Sequence, residues 1–203
     1  MPRLSPSIAV LCLLLLAACS RDPQLPPLAA DAVILAFGDS LTYGTGATRA
    51  ESYPAVLERL SGRRVINAGV PGEMTAQGLE RLGDALDEHA PQLLILCLGG
   101  NDMLRRIDPA RIAHNLEQMV AASRARGVPV LLLGVPRPAI LGLESAPLYH
   151  DVAVRNQLPL EGDIIPEVLT ERGLRSDAIH PNAEGYHRIA AAVHAKLKTS
   201  GAL

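Results

Sequence analysis

The chain has 203 residues, 48% hydrophobic and 20% charged, a composition typical of a single folded domain and not of a disordered segment. Its formal net charge of −2 gives no basic footprint, so nucleic acid is not an expected partner. With four Tyr, one Phe and no Trp, the core has to be built from aliphatic side chains.

Residues 1–18 predict an export signal. A basic start at Arg3 precedes an unbroken apolar run of 11 residues from Ile8 to Ala18. As a helix this run would extend roughly 16 Å, too short for a hydrocarbon core of about 30 Å, so it is typical of a secretory signal. The small residues before Cys19 resemble a bacterial lipoprotein signal, in which Cys19 is lipidated and becomes the N-terminus. Ordinary cleavage after Ala18, which releases a soluble exported product, is the alternative.

A lipidated Cys19 predicts a stable membrane anchor, because several acyl chains are attached to one residue. Ser20 rather than Asp follows it, which by resemblance to enterobacterial lipoproteins favours the outer membrane, with the protein facing the periplasm. Three prolines within residues 20–30 predict an extended spacer. The predicted division is a signal at 1–18, the lipidated cysteine and spacer at 19–30, and one folded domain at 31–203.

Cysteine usage argues against internal disulfides and the usual metal sites. Cys12 leaves with the signal and Cys19 carries lipid, so only Cys97 remains, and there is no Cys-x-x-Cys or Cys/His ligand spacing. Cys97 lies in the apolar run 93–98 and is expected to be a small buried hydrophobe. We expect no metal, and a chain that acts as a monomer.

The first half of the domain alternates strands and helices. An apolar run predicts a buried strand at 32–37, and a second, short strand is expected at 65–66. Between them a helix is predicted from Ser52, as the N-cap, to Gly62, just past its end. A longer helix is predicted at 75–89 because leucines recur on one face at spacings of three and four.

The second half continues this alternation with weaker signals towards its end. A strand is predicted at 93–98, then a helix from Asp108 to Gly127 and a fourth strand at 129–135. Residues 136–150, rich in Pro, Gly and Leu, are expected to form a loop. The remaining predicted elements are a short helix at 149–156, a fifth strand at 158–160 and a final helix that Asn182 caps and that ends near 198.

Near-continuous apolar strands between amphipathic helices predict a mainly parallel sheet that helices cover on both faces. Right-handed crossovers then give a three-layer α/β domain. No internal repeat and no second domain is evident in the sequence.

Three candidate site positions follow the first three predicted strands. Ser40 follows the first strand, Gly72 the second and Asn101 the third. Because an open parallel sheet binds ligands beyond the carboxyl ends of its strands, we expect all three at one edge. Asp177 and His180 precede the final helix, where a turn can direct both side chains to one side. His180 is then able to reach Ser40.

These residue types form a complete set for hydrolysing an acyl bond without a metal. Ser40 is the expected nucleophile, His180 the base that takes its proton, and Asp177 the carboxylate that orients the imidazole. The backbone amides of Ser40 and Gly72 and the side-chain amide of Asn101 are the expected donors to the oxyanion. Each residue taken alone could be an ordinary turn or cap residue, and it is their combination that favours catalysis.

Two neighbouring carboxylates are expected to have structural roles. Asp39 is the acceptor that would brace the turn carrying Ser40. Asp102 is expected to support the site from behind or to cap a helix.

Four blocks of the sequence resemble those of the SGNH (GDSL) hydrolases: Gly38-Asp39-Ser40-Leu41, Gly72, Gly99-Gly100-Asn101-Asp102 and Asp177-x-x-His180. Residues 65–102 are similar to the bacterial thioesterase/lysophospholipase/arylesterase branch, and the whole resemblance spans about residues 32–198. It implies a flavodoxin-like sheet of five strands and neither a cofactor nor a metal. It also implies Ser40, Asp177 and His180 as the catalytic triad, and Ser40, Gly72 and Asn101 as the oxyanion hole.

We therefore expect a serine esterase of carboxylic or thioester bonds that works through an acyl-enzyme. Membrane anchoring favours lysophospholipids or other medium-to-long acyl esters as substrates. Ile140, Leu141 and Leu143 are candidates for the wall of an acyl-binding groove, or else ordinary packing residues. The alternatives are a carbohydrate O-acetylesterase of the cell envelope with the same triad, and an envelope binding module without turnover.

Overall fold

The computed structural model describes residues 23–139 and 142–203. The export signal predicted at 1–18 and the lipidation site Cys19 lie outside the described residues. So do Ile140 and Leu141, two of the three residues considered for an acyl-binding wall.

Strands occupy seven ranges of the described chain: β1 (Val33–Gly38), β2 (Arg64–Gly69), β3 (Leu93–Cys97), β4 (Val130–Leu133), β5 (Pro136–Ala139), β6 (Gly142–Ser145) and β7 (Leu160–Glu161). Five of them form one parallel sheet in the order β2-β1-β3-β4-β7. Every residue of β3 and β4 is buried, as expected of apolar strands covered on both faces. The predicted five-stranded parallel sheet is confirmed.

Helices occupy eight ranges of the described chain: α1 (Ser40–Tyr43), α2 (Tyr53–Ser61), α3 (Thr75–His89), α4 (Gly100–Leu104), α5 (Pro109–Arg124), α6 (Pro147–Asn156), α7 (Ile164–Thr170) and α8 (Ala183–Thr199). α3 packs against α5, and α5 against α6. α8 packs against α2 and α7. These two groups of helices enclose the sheet and give the expected three layers. Within the described ranges, no helix combines the length and the apolarity needed to cross a membrane.

The helix predictions are confirmed where local rules are strong. α3 has the predicted bounds, with Leu82 and Leu86 buried on its inner face. α5 begins at Pro109 because the Asp108 side chain accepts a hydrogen bond from the amide of Ala110 at 2.9 Å. Asn182 caps the N-terminus of α8 in the same way, because its side chain accepts a hydrogen bond from the amide of Gly185.

The prediction of a loop at 136–150 is wrong. Residues of β5 pair with residues of β6 as an antiparallel hairpin, and α6 begins at Pro147. Pro136 and Pro138 suggested a loop because proline donates no backbone hydrogen bond, but a two-stranded ribbon has an outer edge that needs no donor. α7 was also not predicted, and Pro166 lies in its first turn, where the backbone N–H has no intrahelical acceptor.

Residues 23–30 of the predicted spacer form no helix or strand, and part of this stretch packs against the domain. The amide of Leu25 donates to the carbonyl of Ser200 at 2.7 Å, and the amide of Leu28 donates to that of Ala202 at 2.9 Å. Both leucine side chains are buried in the core. Within the described residues, packing against the domain therefore extends back to Leu25.

Candidate active site

The ends of three strands lie level at one edge of the sheet. Gly38, the last residue of β1, is in register with Gly69 of β2 on one side and with Cys97 of β3 on the other. The strand order reverses between β1 and β3, and such a switch point is where an open α/β sheet leaves a crevice. Ser40 starts α1 immediately after β1, and Asn101 lies in the first turn of α4 after β3.

α1 can lie directly on the strand ends because of a close approach at Gly69. A Cβ at this position would lie 2.2 Å from the backbone nitrogen of Tyr43. The side chain of Asn67 then fixes the helix to β2, since its Nδ2 donates to the carbonyl of Thr42 at 2.9 Å. Its Oδ1 accepts from the Gly69 amide at 3.0 Å. Ser40 is therefore carried by a helix that has little freedom to shift.

The structure brings Ser40, His180 and Asp177 into one chain of hydrogen bonds. His180 Nε2 lies 3.1 Å from Ser40 Oγ, and His180 Nδ1 lies 2.8 Å from Asp177 Oδ2. An ionised carboxylate can only accept a hydrogen bond, so Nδ1 carries the proton of the neutral imidazole. The lone pair of Nε2 consequently faces the Ser40 hydroxyl, which donates to it.

Asp177 is held by three hydrogen bonds although its side chain is 54% exposed. Besides the imidazole, the amides of Ile179 and His180 donate to Oδ1 at 2.8 and 2.9 Å. The hydrogen bond from His180, and after it the amide of Ile179, lower the pKa of the Asp177 carboxyl below its usual value. Asp177 is therefore an anion throughout the neutral range.

The loop that carries Asp177 and His180 is closed by backbone hydrogen bonds at its base. The amide of Ser176 donates to the carbonyl of His180 at 2.9 Å, and that of Asn182 donates to the carbonyl of Leu174 at 2.9 Å. Tyr186, in the first turns of α8, donates from its hydroxyl to the carbonyl of Thr45 at 2.8 Å. The loop and the segment after α1 are thus tied to the same helix.

Asn101 lies beside the serine with its amide group already engaged. Nδ2 donates to the carbonyl of Glu73 at 3.1 Å and to Oδ2 of Asp39 at 3.3 Å. A side-chain amide has two N–H donors, so both have acceptors in this state.

Gly72 occupies the turn that precedes α3. The amide of Glu73 donates to the carbonyl of Val70 at 3.2 Å, with Pro71 and Gly72 as the central residues. The φ of Gly72 is +81°, the value that a type II turn requires at this position and that favours glycine. Gly72 is therefore adjacent to the residue whose carbonyl binds Asn101, but it is not among the residues that line the cavity next to Ser40.

Asp39 is buried directly below the serine, with 2% of its surface exposed. Its Oδ1 accepts from the amide of Leu41 at 3.0 Å and so caps α1, as expected. Burial raises the pKa of Asp39 to about 7, and the nearby carboxylates of Glu73 and Asp102 act in the same direction, against the lowering effect of the Leu41 amide. Asp39 therefore changes its charge close to neutral pH.

Asp102 supports the site by capping a neighbouring helix. Its buried carboxylate accepts from the backbone amide and the hydroxyl of Thr75, the first residue of α3, at 2.9 and 2.6 Å. Asn115 of α5 donates from Nδ2 to the same hydroxyl at 2.9 Å. A negative group at a helix N-terminus is favourable, so this network fixes α3, α4 and α5 relative to one another.

Sequence reasoning missed the pair Glu73 and Arg81. The guanidinium binds the largely buried carboxylate through two hydrogen bonds, of 2.9 and 2.7 Å, and its carbon lies 4.0 Å from the centroid of the Phe37 ring. The pair holds the turn whose carbonyl accepts from Asn101. A spacing of eight residues across a turn and a helix start matches no local rule, so the sequence offered no signal for it.

The hydroxyl of Ser40 opens into a cavity of about 450 Å³. Asn101 and His180 also line it, whereas Asp177 lies behind His180. Much of its remaining wall is apolar and comes from α1, α4, α7 and the β5–β6 hairpin with the residue before it: Leu41, Met103, Leu104, Val135, Leu143 and Leu169. Among the described residues, no group of three or more His, Cys, Asp or Glu is arranged to hold a metal ion.

The sequence matches the model of the GDSL-like Lipase/Acylhydrolase family over residues 36–188. Esterase TesA of Pseudomonas aeruginosa is 34% identical over 195 residues, which cover 91% of this chain and 97% of that protein. Thioesterase 1/protease 1/lysophospholipase L1 of Escherichia coli strain K12 is 32% identical over 169 residues, 80% of this chain and 81% of that protein.

Solved structures agree with the sequence comparison. The crystal structure of TesA superposes with a TM-score of 0.75 at 31% identity, covering 83% of this chain and 99% of that one. The family match spans most of the chain, and both relatives are more than 30% identical over at least four fifths of it. The chain belongs to the GDSL-like lipase/acylhydrolase family, the SGNH (GDSL) hydrolases.

Proposed function

We propose that this chain is a serine esterase that hydrolyses carboxylic or thioester acyl bonds through an acyl-enzyme on Ser40. The observation that carries the proposal is the continuous hydrogen-bonded chain from Asp177 through His180 to the Ser40 hydroxyl, at the mouth of a largely apolar cavity. The esterase and thioesterase/lysophospholipase names of the two relatives support the same class of substrate.

The first half of the reaction acylates the enzyme. Ser40 Oγ attacks the carbonyl carbon of the ester while His180 Nε2 takes the hydroxyl proton. The anion of Asp177 stabilises the imidazolium that forms. When the tetrahedral intermediate collapses, its bond to the alcohol or thiol breaks, and Nε2 gives the proton to that leaving group.

The second half repeats the same proton path with water. His180 removes a proton from a water molecule, whose oxygen attacks the acyl carbon. The bond to Ser40 Oγ breaks, the serine recovers its proton from Nε2, and the carboxylic acid leaves. No electron acceptor or metal takes part in this sequence.

The donors proposed for the oxyanion are the amide of Ser40, the side-chain amide of Asn101 and, although Gly72 does not line the cavity, the amide of Gly72. Ser40 is the first residue of α1, so its N–H has no intrahelical acceptor and is free to donate. Asn101 has to release one of its two present acceptors before it can donate to the intermediate. The hydrogen bond to Asp39 weakens when that carboxylate gains a proton, whereas the Glu73 carbonyl remains an acceptor at every pH.

The substrate proposed is a lipid or other acyl ester whose chain lies along the apolar wall. Lysophospholipids and other medium-to-long acyl esters fit both this wall and a location at a membrane. Acyl-CoA is less suitable, because an exported enzyme would rarely meet it. A carbohydrate O-acetylesterase would use the same triad but would need little of the apolar surface that the cavity offers.

The proposal includes export and an anchor. Supporting it are the signal at 1–18, the small residues before Cys19 and the Ser at position 20, which favour a lipoprotein of the outer membrane that faces the periplasm. The chain is proposed to work there as a monomer, since all the residues assigned to the reaction come from one copy.

Ser40→Ala should abolish ester hydrolysis without unfolding the protein. We expect turnover of p-nitrophenyl butyrate to fall by about a thousandfold or more, because the nucleophile is lost. A fluorophosphonate should label the wild type on Ser40 and leave the variant unlabelled. Ser61→Ala is the control, since this serine ends α2 at the opposite edge of the sheet. Activity of Ser40→Ala within tenfold of the wild type would reject the mechanism.

Asp39→Asn should change how stability depends on pH. The native protein keeps a proton on Asp39 up to about pH 7, whereas the unfolded chain releases it near 3.8. Protonated Asp39 therefore contributes its full stabilisation of the native protein below about pH 4, and this contribution is lost as the pH rises towards 7. Relative to the wild type, the variant should gain unfolding free energy over this interval, by up to about 4 kcal/mol. Urea denaturation at pH 4.5 and 8 tests this, and an equal difference at both values would contradict it.

Acyl chain length should separate the esterase from the acetylesterase. We expect kcat/KM for p-nitrophenyl octanoate to exceed that for the acetate by about tenfold or more, since a buried methylene contributes up to about 0.8 kcal/mol. Leu104→Ser, at the cavity wall, should reduce this ratio. Val154→Ser should leave the ratio unchanged, because Val154 lies outside the cavity. The two side chains are equally exposed, Val154 to 63% and Leu104 to 62%. A preference for acetyl esters, with release of acetate from a polysaccharide, would favour the alternative.

Mass spectrometry of the mature protein should find an N-terminus at Cys19 with lipid attached. Cys19→Ala should release the protein from the membrane fraction into the soluble periplasmic fraction. Density-gradient separation of the two membranes tests the outer-membrane location. An unmodified Cys19 in the wild type would refute the anchor and leave the esterase proposal intact.

A further inference from the structure

A second cavity adjoins the one at Ser40. A cavity of about 980 Å³ lies next to it, between the start of α5 and the start of α6. Met103, Arg106 and Arg137 line both cavities, so the two adjoin at these three side chains. A substrate with its ester at Ser40 and a long or branched body would pass this junction.

Arg106 is held in an unusual backbone conformation at the junction. Its φ is +56°, in the left-handed region that side-chain-bearing residues rarely adopt. The turn is fixed by hydrogen bonds from the Arg106 amide to the carbonyl of Met103 and from the Ile107 amide to that of Asp102, both at 3.0 Å. Glycine would adopt this backbone conformation with less strain than arginine does.

The charge of Arg106 is not balanced by the described part of the protein. Its side chain is exposed, and within residues 23–139 and 142–203 it forms no ion pair. Arg137 beside it pairs with Glu144 at 2.7 Å. The junction therefore keeps a net positive charge next to an apolar wall.

The acidic residues of the second cavity do not remove this charge. Glu117 is paired with Arg155 at 2.7 Å. Asp151 lies 3.9 Å from His150 and makes no contact of ion-pair length with Arg106. An incoming anion would thus find the guanidinium of Arg106 available, and a planar guanidinium binds carboxylate or phosphate oxygens two at a time.

We propose that Arg106, with Arg137 beside it, forms a subsite for an anionic group of the substrate, a carboxylate or a phosphate, while the ester lies at Ser40 and the chain lies along the apolar wall. The proposal rests on the proposed esterase function and narrows its substrates to acyl esters that carry such a group. The group can belong to the far end of the acyl chain or to the alcohol that leaves.

Two substrate pairs distinguish these sources. Mono-p-nitrophenyl suberate and p-nitrophenyl octanoate have the same length and differ by a carboxylate on the acyl side. 1-Octanoylglycerol 3-phosphate and 1-octanoylglycerol differ by a phosphate on the alcohol side. The readout is the ratio of kcat/KM for the anionic ester to that for the neutral ester, and the pair in which the ratio exceeds one identifies the source.

Arg106→Gln is the test variant, and Arg105→Gln is its matched control. Both residues are exposed and lose the same charge, but Arg105 lines neither cavity. We expect the ratio to fall about tenfold or more in Arg106→Gln, largely through KM, and to stay within about twofold in Arg105→Gln. An unchanged ratio in Arg106→Gln would overturn the subsite. An equal fall in both variants would also overturn it, because it would indicate only a general effect of positive charge near the cavity.

Failure of the subsite is distinguishable from failure of the esterase proposal. If the wild type hydrolyses neutral esters and Ser40→Ala does not, the esterase stands whatever the ratios are. If no ester is hydrolysed, equilibrium binding of octyl phosphate to the Ser40→Ala protein decides. If adding Arg106→Gln to the Ser40→Ala protein weakens the binding of octyl phosphate about tenfold, the subsite is supported. If the affinity does not change, the subsite is refuted.

Discussion

The register of β1 between β2 and β3 is the constraint on which the candidate site depends. Because Gly38 is level with both Gly69 and Cys97, three chain segments leave the sheet at the same height. The segments after them carry Ser40, the Gly72 turn and Asn101. A shift of one strand by a single residue would move its segment by about 3.3 Å and exchange the two faces of the strand. The hydrogen bond of 3.1 Å that Ser40 donates to His180, across 140 residues of sequence, tolerates no such shift.

Electrostatics beneath the serine would oppose the proposed reaction unless a charge is removed. Asp39, Glu73 and Asp102 are all buried there. Glu73 is neutralised by Arg81, and Asp102 is bound by the Thr75 amide and hydroxyl. Asp39 has no cationic partner among the described residues, and an anion at this position would repel the proposed oxyanion. Its raised pKa allows a neutral form near pH 7, which removes the repulsion and loosens its hold on Asn101.

The sequence was sufficient wherever the determining interactions are local or follow the order of the strands. The bounds of α3 follow from its leucine spacing, and the start of α5 follows from the Asp108 cap. The meeting of Ser40 with His180 follows from parallel topology, since both come from segments at one edge of the sheet. The spacing of three between Asp177 and His180 was enough to predict that one turn joins them.

The rest depends on contacts that no local pattern encodes. The β5–β6 hairpin contains two prolines, so its tendency to pair was hidden by residues that usually mark loops. Leu25 and Leu28 look like part of a proline-rich spacer, and only the end of α8 provides the surface that buries them. Asn67 offered a partial signal, because a polar residue between the apolar residues of a strand has to find a partner.

The helix that follows the loop of Asp177 and His180 also determines where an anchor would be. α8 begins three residues after His180, and its 17 residues extend about 26 Å to the end where Leu25 is docked. A lipid on Cys19 would be joined to Leu25 by at most six residue steps, about 20 Å. This reach is shorter than the helix, so the catalytic edge could not be turned flat onto the anchoring leaflet while Leu25 stays packed.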